Sequence, residues 1–560
     1  MRQIVAWMVA VAVLVLPSWA QAESANKWIK ASSAHFIVYS DNNAAQTQAY
    51  LFKLEQYRYI LSRFHGFTAE DDDALPKLTI YFVANHKDLE QTWPKANADV
   101  AGYFKNCTEG QAAVGIYQDD RIRKSKDARG QDENASQAIL FHEYAHNFMF
   151  QNSDGQFPPW YVEGFAEYYS TTKIEGDTAV IGMAFSWRVY TLMSPGATLS
   201  YEDLLRDSWR VAKGRKETRT DEFYAQSWLL THYLLADPDR QNKFDSYLEA
   251  YRKGDDPVAA FEKAFGFPVK NLRKTLNAYT DKLMATQYRI KDMPTPEVKV
   301  ETMPVSANKL LLWDAADRLC PSRADVPALL ANIRGEAAKF PGDDYAALAL
   351  ARAEIIIGDE WKALDYLKTY TAAHPDDANA AYMLGQTWFL MTEHKHIVDG
   401  ETADSQMKQA RIFLGKGYKL DPLNAGDLYY FSLAQGDPEG EPSDNAINAA
   451  LEAHSLAPSV EAFAFRAVQL LIRKGRLDEA KEVLFPLANN PHNPELAKWV
   501  QAIIAAIDGH ASKEDVLKAM NSSPDDTTDA DGDTPPKDKP QEPAKPDPKA
   551  QPQDQSKDKA

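Results

Sequence analysis

The stretch ILFHEYAHNFMFQNSDGQFPPWYVEGFAEYYS, Ile139 to Ser170, gathers two histidines and three glutamates in a chain with only twelve histidines. His142 and His146 stand four residues apart, with Glu143 beside the first. In a helix, such positions lie about 40° apart on one face, one turn above the other. Two imidazoles so placed can hold one ion, about 2.0–2.1 Å from each nitrogen. Glu143 can then reach a water on that ion without ligating it. Phe141, Ala145 and Phe148 to Phe150 make the helix largely apolar. Polar groups buried on such a helix need partners.

A third ligand follows. PPWYVEGFAEYYS starts a second helix, with Pro158 and Pro159 at its beginning. Glu163 and Glu167 share a face of that helix, and Glu163 comes 17 residues after His146. That spacing leaves room for a turn, Asn152 to Gln156, and an antiparallel return that aims Glu163 at the histidines. Two histidines and a glutamate with an open position favour a single zinc ion (Zn2+). The residues alone leave other readings open: a histidine pair satisfied within a core, or zinc held in an idle scaffold.

HEYAH followed by WYVEGFAEYY resembles the gluzincin zinc metallopeptidases, most of all their peptidase-MA-like bacterial branch. Thermolysin-like and alanyl-aminopeptidase-like enzymes share the same helix logic. The motifs cover this short stretch, and a weaker likeness extends over residues 26–290. The resemblance implies His142, His146 and Glu163 as metal ligands and Glu143 as general base and proton shuttle. Glu167 would orient a ligand histidine. It further implies an edge strand that aligns the substrate, for which Ala112 to Tyr117 is the candidate. The aminopeptidase branch carries a G-x-M-E-N segment. Ile181 to Trp187 reads IGMAFSW instead, so an endopeptidase is expected. For the donor to the developing oxyanion, the choice is Tyr224 in FYAQSWLLTHYLL, with His232 and Tyr233 as alternatives.

The rest of the chain frames this site. Its 560 residues require more than one core. Residues 1–22 pair an apolar run with Ala20-Gln21-Ala22, the pattern of a secretory signal peptide. The product is expected to be periplasmic or secreted, with no stable membrane insertion after cleavage. A formal net charge of −18 argues against nucleic acid and anionic membrane surfaces as partners.

Ser33 to Asp41, Leu75 to Val83 and Ala112 to Gln118 read as strands, and only helical patterns follow the opening stretch. Residues 23–290 are therefore expected to form an α+β domain, which the resemblance implies is of the gluzincin (thermolysin-like) type. Residues 291–308, rich in proline, read as a linker.

In residues 309–520, Pro341, Pro375, Pro422, Pro458 and Pro491 recur at spacings of 34, 47, 36 and 33. Ala363, Ala410, Ala446 and Ala480 precede the last four by eleven or twelve residues. This pattern, with YMLGQTW at Tyr382 to Trp388, resembles the tetratricopeptide repeat of 34 residues. The longer spacing fits an insertion within His394 to Ser405. An all-α repeat domain of this kind presents a groove for a protein partner. A chain ended after Ile290 should then keep its metal and lose partner selection. Residues 521–560 lack aromatic, Leu, Ile and Val residues and read as a disordered tail.

Cys107 and Cys320 fall in different expected domains; an exported chain could join them only through close docking, and two free, partly buried thiols are the alternative favoured. The function expected is a zinc peptidase acting on a protein or peptide substrate. A binding scaffold with an idle site and a hydrolase of cell-wall amides are the alternatives.

Overall fold

The computed structural model describes residues 26–65, 75–94, 96, 100, 102–117, 135–153, 157–194, 198–211, 219–436, 440–488 and 493–522. The expected signal peptide, and the tail from residue 523 on, lie outside the described residues. The chain is mixed α/β in its N-terminal part and all-helical in its C-terminal part. No helix among the described residues is long and apolar enough to cross a membrane.

The strands are β1 (Ile29–Ser32), β2 (Phe36–Ser40), β3 (Leu78–Val83), β4 (Gly102–Cys107), β5 (Gly110–Ile116), β6 (Lys173–Glu175), β7 (Thr178–Ile181), β8 (Thr286–Arg289) and β9 (Lys299–Thr302). The helices of the mixed part are α1 (Ala44–His65), α2 (His86–Thr92), α3 (Ala135–Gln151), α4 (Pro159–Ser170), α5 (Ser186–Met193), α6 (Tyr201–Leu205), α7 (Thr220–Leu235), α8 (Pro238–Arg252), α9 (Pro257–Phe265) and α10 (Leu272–Thr280).

Six strands form the main sheet, in the order β4-β5-β3-β2-β1-β9. Strands β2, β3 and β5 run parallel, and the remaining pairs are antiparallel. Alternation along the strands serves two faces. Phe36, Val38, Leu78, Ile80, Phe82 and Ala113 face a core shared with α1 and α3. Tyr81, Val83, Ala112, Val114 and Ile116 face a second core.

Three expectations give way here. The candidate edge strand is internal, because β5 is flanked by β3 and β4, and the edge on that side of the sheet belongs to β4. A tight turn through Thr108 and Glu109, with Gly110 at φ 122°, returns β4 onto β5. Strand β4 carries Lys105 and Asn106 and has no clean apolar alternation to announce it. Second, strands do follow the opening stretch: β6, β7 and β8 make a three-stranded sheet. At three or four residues each they are too short to display a period of two. Third, the expected linker contains β9, which pairs with β1 from Ile29↔Thr302 to Ser32↔Lys299. Its four residues are all exposed and two are charged, the composition of an edge strand.

The helical part continues as α11 (Ala307–Arg318), α12 (Val326–Ala337), α13 (Asp344–Ile356), α14 (Leu364–Ala373), α15 (Ala378–Glu393), α16 (Ala403–Leu420), α17 (Ala425–Ala434), α18 (Asp444–Leu456), α19 (Glu461–Lys474), α20 (Leu477–Ala488), α21 (Pro494–Asp508) and α22 (Lys513–Asn521). From α15 on, each helix packs on the next. Ala363, Ala410, Ala446 and Ala480 are buried where helices close on one another. A Cβ at Gly385 would lie 2.7 Å from the backbone nitrogen of Leu414, so α15 and α16 meet almost backbone to backbone.

The two parts share a core. Ala307, Leu311, Leu312 and Ala315 of α11, with Leu319, cover the second face of the main sheet. Cys107 and Cys320 form a disulfide with Cα atoms 6.0 Å apart, where free thiols were expected. The close docking that such a bridge requires is supplied by α11, which no local pattern reveals. A chain ended after Ile290 would lose β9 and α11 and bare an apolar sheet face. The expectation that such a chain keeps its metal and loses only partner selection therefore gives way: it is expected to aggregate or unfold without a cooperative transition, measured by calorimetry. A sharp transition near that of the full chain would refute the shared core.

Candidate metal centre

Helix α3 brings His142 and His146 to one face, and α4 returns alongside it. Asn152 ends α3 by donating from Nδ2 to the Phe148 carbonyl (2.8 Å). Of the expected turn, residues 154–156 lie outside the described residues. Pro158 caps α4 and Pro159 opens its first turn, where a missing N–H costs nothing. All twelve residues of α4 are buried. A helix buried all round is fixed by its neighbours on every side.

The two helices place three ligand-type atoms together. His142 Nε2 and His146 Nε2 are 3.1 Å apart. Glu163 Oε2 is 3.5 Å from the first and 3.4 Å from the second. Four ligands arranged tetrahedrally about 2.0–2.1 Å from an ion stand about 3.3–3.4 Å from one another. The three atoms match that spacing, so the donor set fits a small divalent ion. Among the described residues this is the only group of three His, Cys, Asp or Glu side chains so arranged. The surroundings favour positive charge. Burial pulls the His142 imidazole down, yet its hydrogen bond to Glu163 and the charges of Glu167 and Glu143 carry it up to about 9.

Glu143 is half-buried beside His142, and its charge acts on His142 and on Tyr224. Glu167 Oε1 lies 3.6 Å from His142 Nδ1, on the side of the ring away from Glu163. Its two oxygens accept from Arg188 Nη2 (2.8 Å) and Nε (3.1 Å), a paired contact that fixes the plane of the carboxylate. The Arg188 Nη1 also donates to Asp221 (3.2 Å). The Arg188 guanidinium lies over the Tyr224 ring, 4.8 Å from its centroid.

The Tyr224 ring is 6.2 Å from that of His142. The charge of Glu163, then burial, then Glu143 and Glu167 push its phenol well above the usual range, so it keeps its proton and can donate. The alternatives for this position are engaged elsewhere. His232 Nδ1 is 2.8 Å from the Tyr279 hydroxyl, and Tyr233 lies under the Arg240 guanidinium.

Two contributors escape sequence reasoning. Arg188 sits in SWRVY without any distinguishing pattern. The β6–β7 hairpin, turning at Gly176 (φ 60°), leads the chain from the end of α4 back to it. The other is Gly164, next to the ligand Glu163. A Cβ there would stand 2.1 Å from Thr231 Oγ1 and 2.5 Å from the Ser227 carbonyl oxygen of α7. The missing side chain lets α7 cross α4 closely and carry Tyr224 to the cluster. Gly164→Ala should force the helices apart at a cost of about 1–3 kcal/mol. Thermal unfolding reads this, and an unchanged midpoint would refute the crossing.

A search of curated proteins finds no match to the chain. Residues 136–256, which hold His142, Glu143, His146, Glu163, Glu167, Arg188 and Tyr224, are similar to the family described as "Protein of unknown function (DUF1570)".

Proposed function

We propose that the chain is an exported zinc peptidase of the gluzincin type, an endopeptidase acting on a protein or peptide substrate. The observation that carries this reading is the spacing of 3.1–3.5 Å among His142 Nε2, His146 Nε2 and Glu163 Oε2. The thermolysin-like domain of this proposal is the mixed α/β part, and the tetratricopeptide-like array is the helical part. The Cys107–Cys320 bond supports an oxidising compartment, and with it the periplasm or the exterior.

His142, His146 and Glu163 would hold a zinc ion, which would supply Lewis acidity to lower the pKa of a water toward about 7 and to polarise a carbonyl. The side chains do the rest. Glu143 accepts the proton of the attacking water and delivers it to the departing amide nitrogen. Tyr224 donates its phenolic hydrogen to the carbonyl oxygen as that atom gains charge. Glu167 faces His142 Nδ1 and would orient it, and Arg188 holds Glu167.

Metal analysis of the wild type and of His146→Ala, beside cleavage of a peptide library, tests the proposal. The wild type should carry one equivalent of zinc and cleave, and the variant should do neither. Zinc without hydrolysis would favour an idle scaffold. Cleavage of peptidoglycan fragments in place of peptides would favour a cell-wall amidase. Equal metal in both proteins would overturn the ligand set.

A further inference from the structure

The β4–β5 hairpin does not end in solvent. At its tip, Glu109 Oε1 accepts from Gln386 Nε2 (2.8 Å) and from the Tyr382 hydroxyl (3.2 Å), both on α15. The Thr108 carbonyl faces Gly426 at the start of α17. A Cβ at Gly426 would lie 3.2 Å from that oxygen and 2.9 Å from the Tyr382 hydroxyl, so glycine leaves the room the tip needs. At the base of the tip, Cys107 is bonded to Cys320, just past α11. Cys320 takes a left-handed backbone conformation (φ 54°), which a residue with a side chain adopts only when its surroundings hold it there.

The other side of the hairpin lies along α3. A side chain at Gly115 would strike Leu140, and one at Gly102 would strike the Val114 carbonyl and Ile139. Gln111 Oε1 accepts from Asn147 Nδ2 (3.2 Å), one residue past His146. The hairpin is thus a bar between the helical array and the helix that carries both histidines.

We propose that the α15–α17 face is a receptor for the Glu109 tip of the same chain, bolted by the Cys107–Cys320 disulfide. The array then serves to brace α3 through the hairpin, in place of offering this face to an outside partner. The polar contact and the covalent bolt are two independent fastenings of the tip, beside the apolar core that α11 shares with the sheet, and the tip leaves this face only when both are undone. Reduction by a dithiol undoes the bolt: both sulfurs become thiols, and the dithiol closes to its own disulfide. This inference does not depend on the metal reading, and its test measures backbone exchange.

Hydrogen exchange would be followed by mass spectrometry in the full chain. The four states are wild type and Glu109→Ala, each oxidised and reduced with dithiothreitol. Either change alone should leave protection near that of the oxidised wild type. Together they should speed exchange about tenfold or more in residues 103–115, α15, α17 and α3, and leave residues 461–488 unchanged. Glu109→Gln keeps the accepting oxygen and should behave as wild type after reduction. Tyr382→Phe with Gln386→Ala should reproduce Glu109→Ala from the opposite side.

A labelled peptide copying residues 104–112, with serine for Cys107, should bind reduced Glu109→Ala about tenfold or more tightly than the oxidised wild type. Three results would each overturn the proposal. One is unchanged exchange in the reduced Glu109→Ala chain. Another is an increase spread equally to residues 461–488. The third is equal peptide binding to the oxidised wild type and the reduced variant.

Discussion

Glu143→Gln should leave zinc bound and reduce peptide hydrolysis by about 100- to 10,000-fold, the usual contribution of a general base. The substitution keeps the size of the side chain and touches none of the three ligand atoms. The carboxamide cannot take a proton from water at neutral pH. A second effect accompanies the first. In the metal-free chain the negative charge of Glu143 helps hold up both the His142 imidazole and the Tyr224 phenol, so its loss should let both fall there. Metal content and single-turnover cleavage of an unfolded protein separate the outcomes. Cleavage within tenfold of wild type would remove Glu143 from the mechanism. Loss of zinc would show that Glu143 belongs to the ligand set.

The second large effect is expected at Arg188. Arg188 and Glu167 are both buried, with residue exposures of 9% and 3%. Two aligned hydrogen bonds join them. Arg188→Ala leaves a buried carboxylate without its cation, a change that costs about 3–5 kcal/mol. For a protein of this size the melting midpoint should fall by about 3–5 °C. Glu167 also faces His142 Nδ1, so the affinity for zinc should drop about 10- to 100-fold.

A stability loss alone would not show positioning, and a paired substitution resolves the two roles. Glu167→Gln with Arg188→Met removes both charges and should recover most of the midpoint, because a buried ion pair is replaceable by neutral groups. Its zinc affinity should stay low, since the carboxylate that faces His142 is gone. Recovery of both together would reduce Arg188 to packing. Arg188→Lys should fall between, because an ammonium cannot make the paired contact.

What the sequence displays about this site is what lies on one helix turn or one short return. His142 and His146 are legible because the helix period sets them one above the other. Glu163 is legible because Pro158 and Pro159 mark where the second helix begins. Tyr224 could be chosen only by residue type, since the crossing that brings α7 near depends on Gly164, sixty residues earlier and beyond the reach of any local period. Arg188 carried no signal, because its place follows from how three short strands fold back.

The same reason explains the misread frame. Lys299 to Thr302 has neither apolar alternation nor length, and its strand exists only because β1 offers an open edge. Cys107 and Cys320 looked remote because α11, whose pattern is an ordinary apolar helix, closes the distance. Patterns along the chain report neighbours within a turn or two. They are silent about which surfaces meet later.

The pairing of β1 with β9 sets the order in which this molecule can be made. Ile29 emerges from the ribosome early, and Thr302, its partner across the sheet, only after some 270 further residues. Contacts so distant along the chain form slowly, since a long loop must close first. Until then the outer edge of β1 and one apolar sheet face stay open, a state that holding chaperones recognise. A nascent chain that cannot complete its first sheet remains threadable, as passage through a membrane channel in the proposed export would require. Completion of the sheet and closure of the disulfide would then fall on the far side.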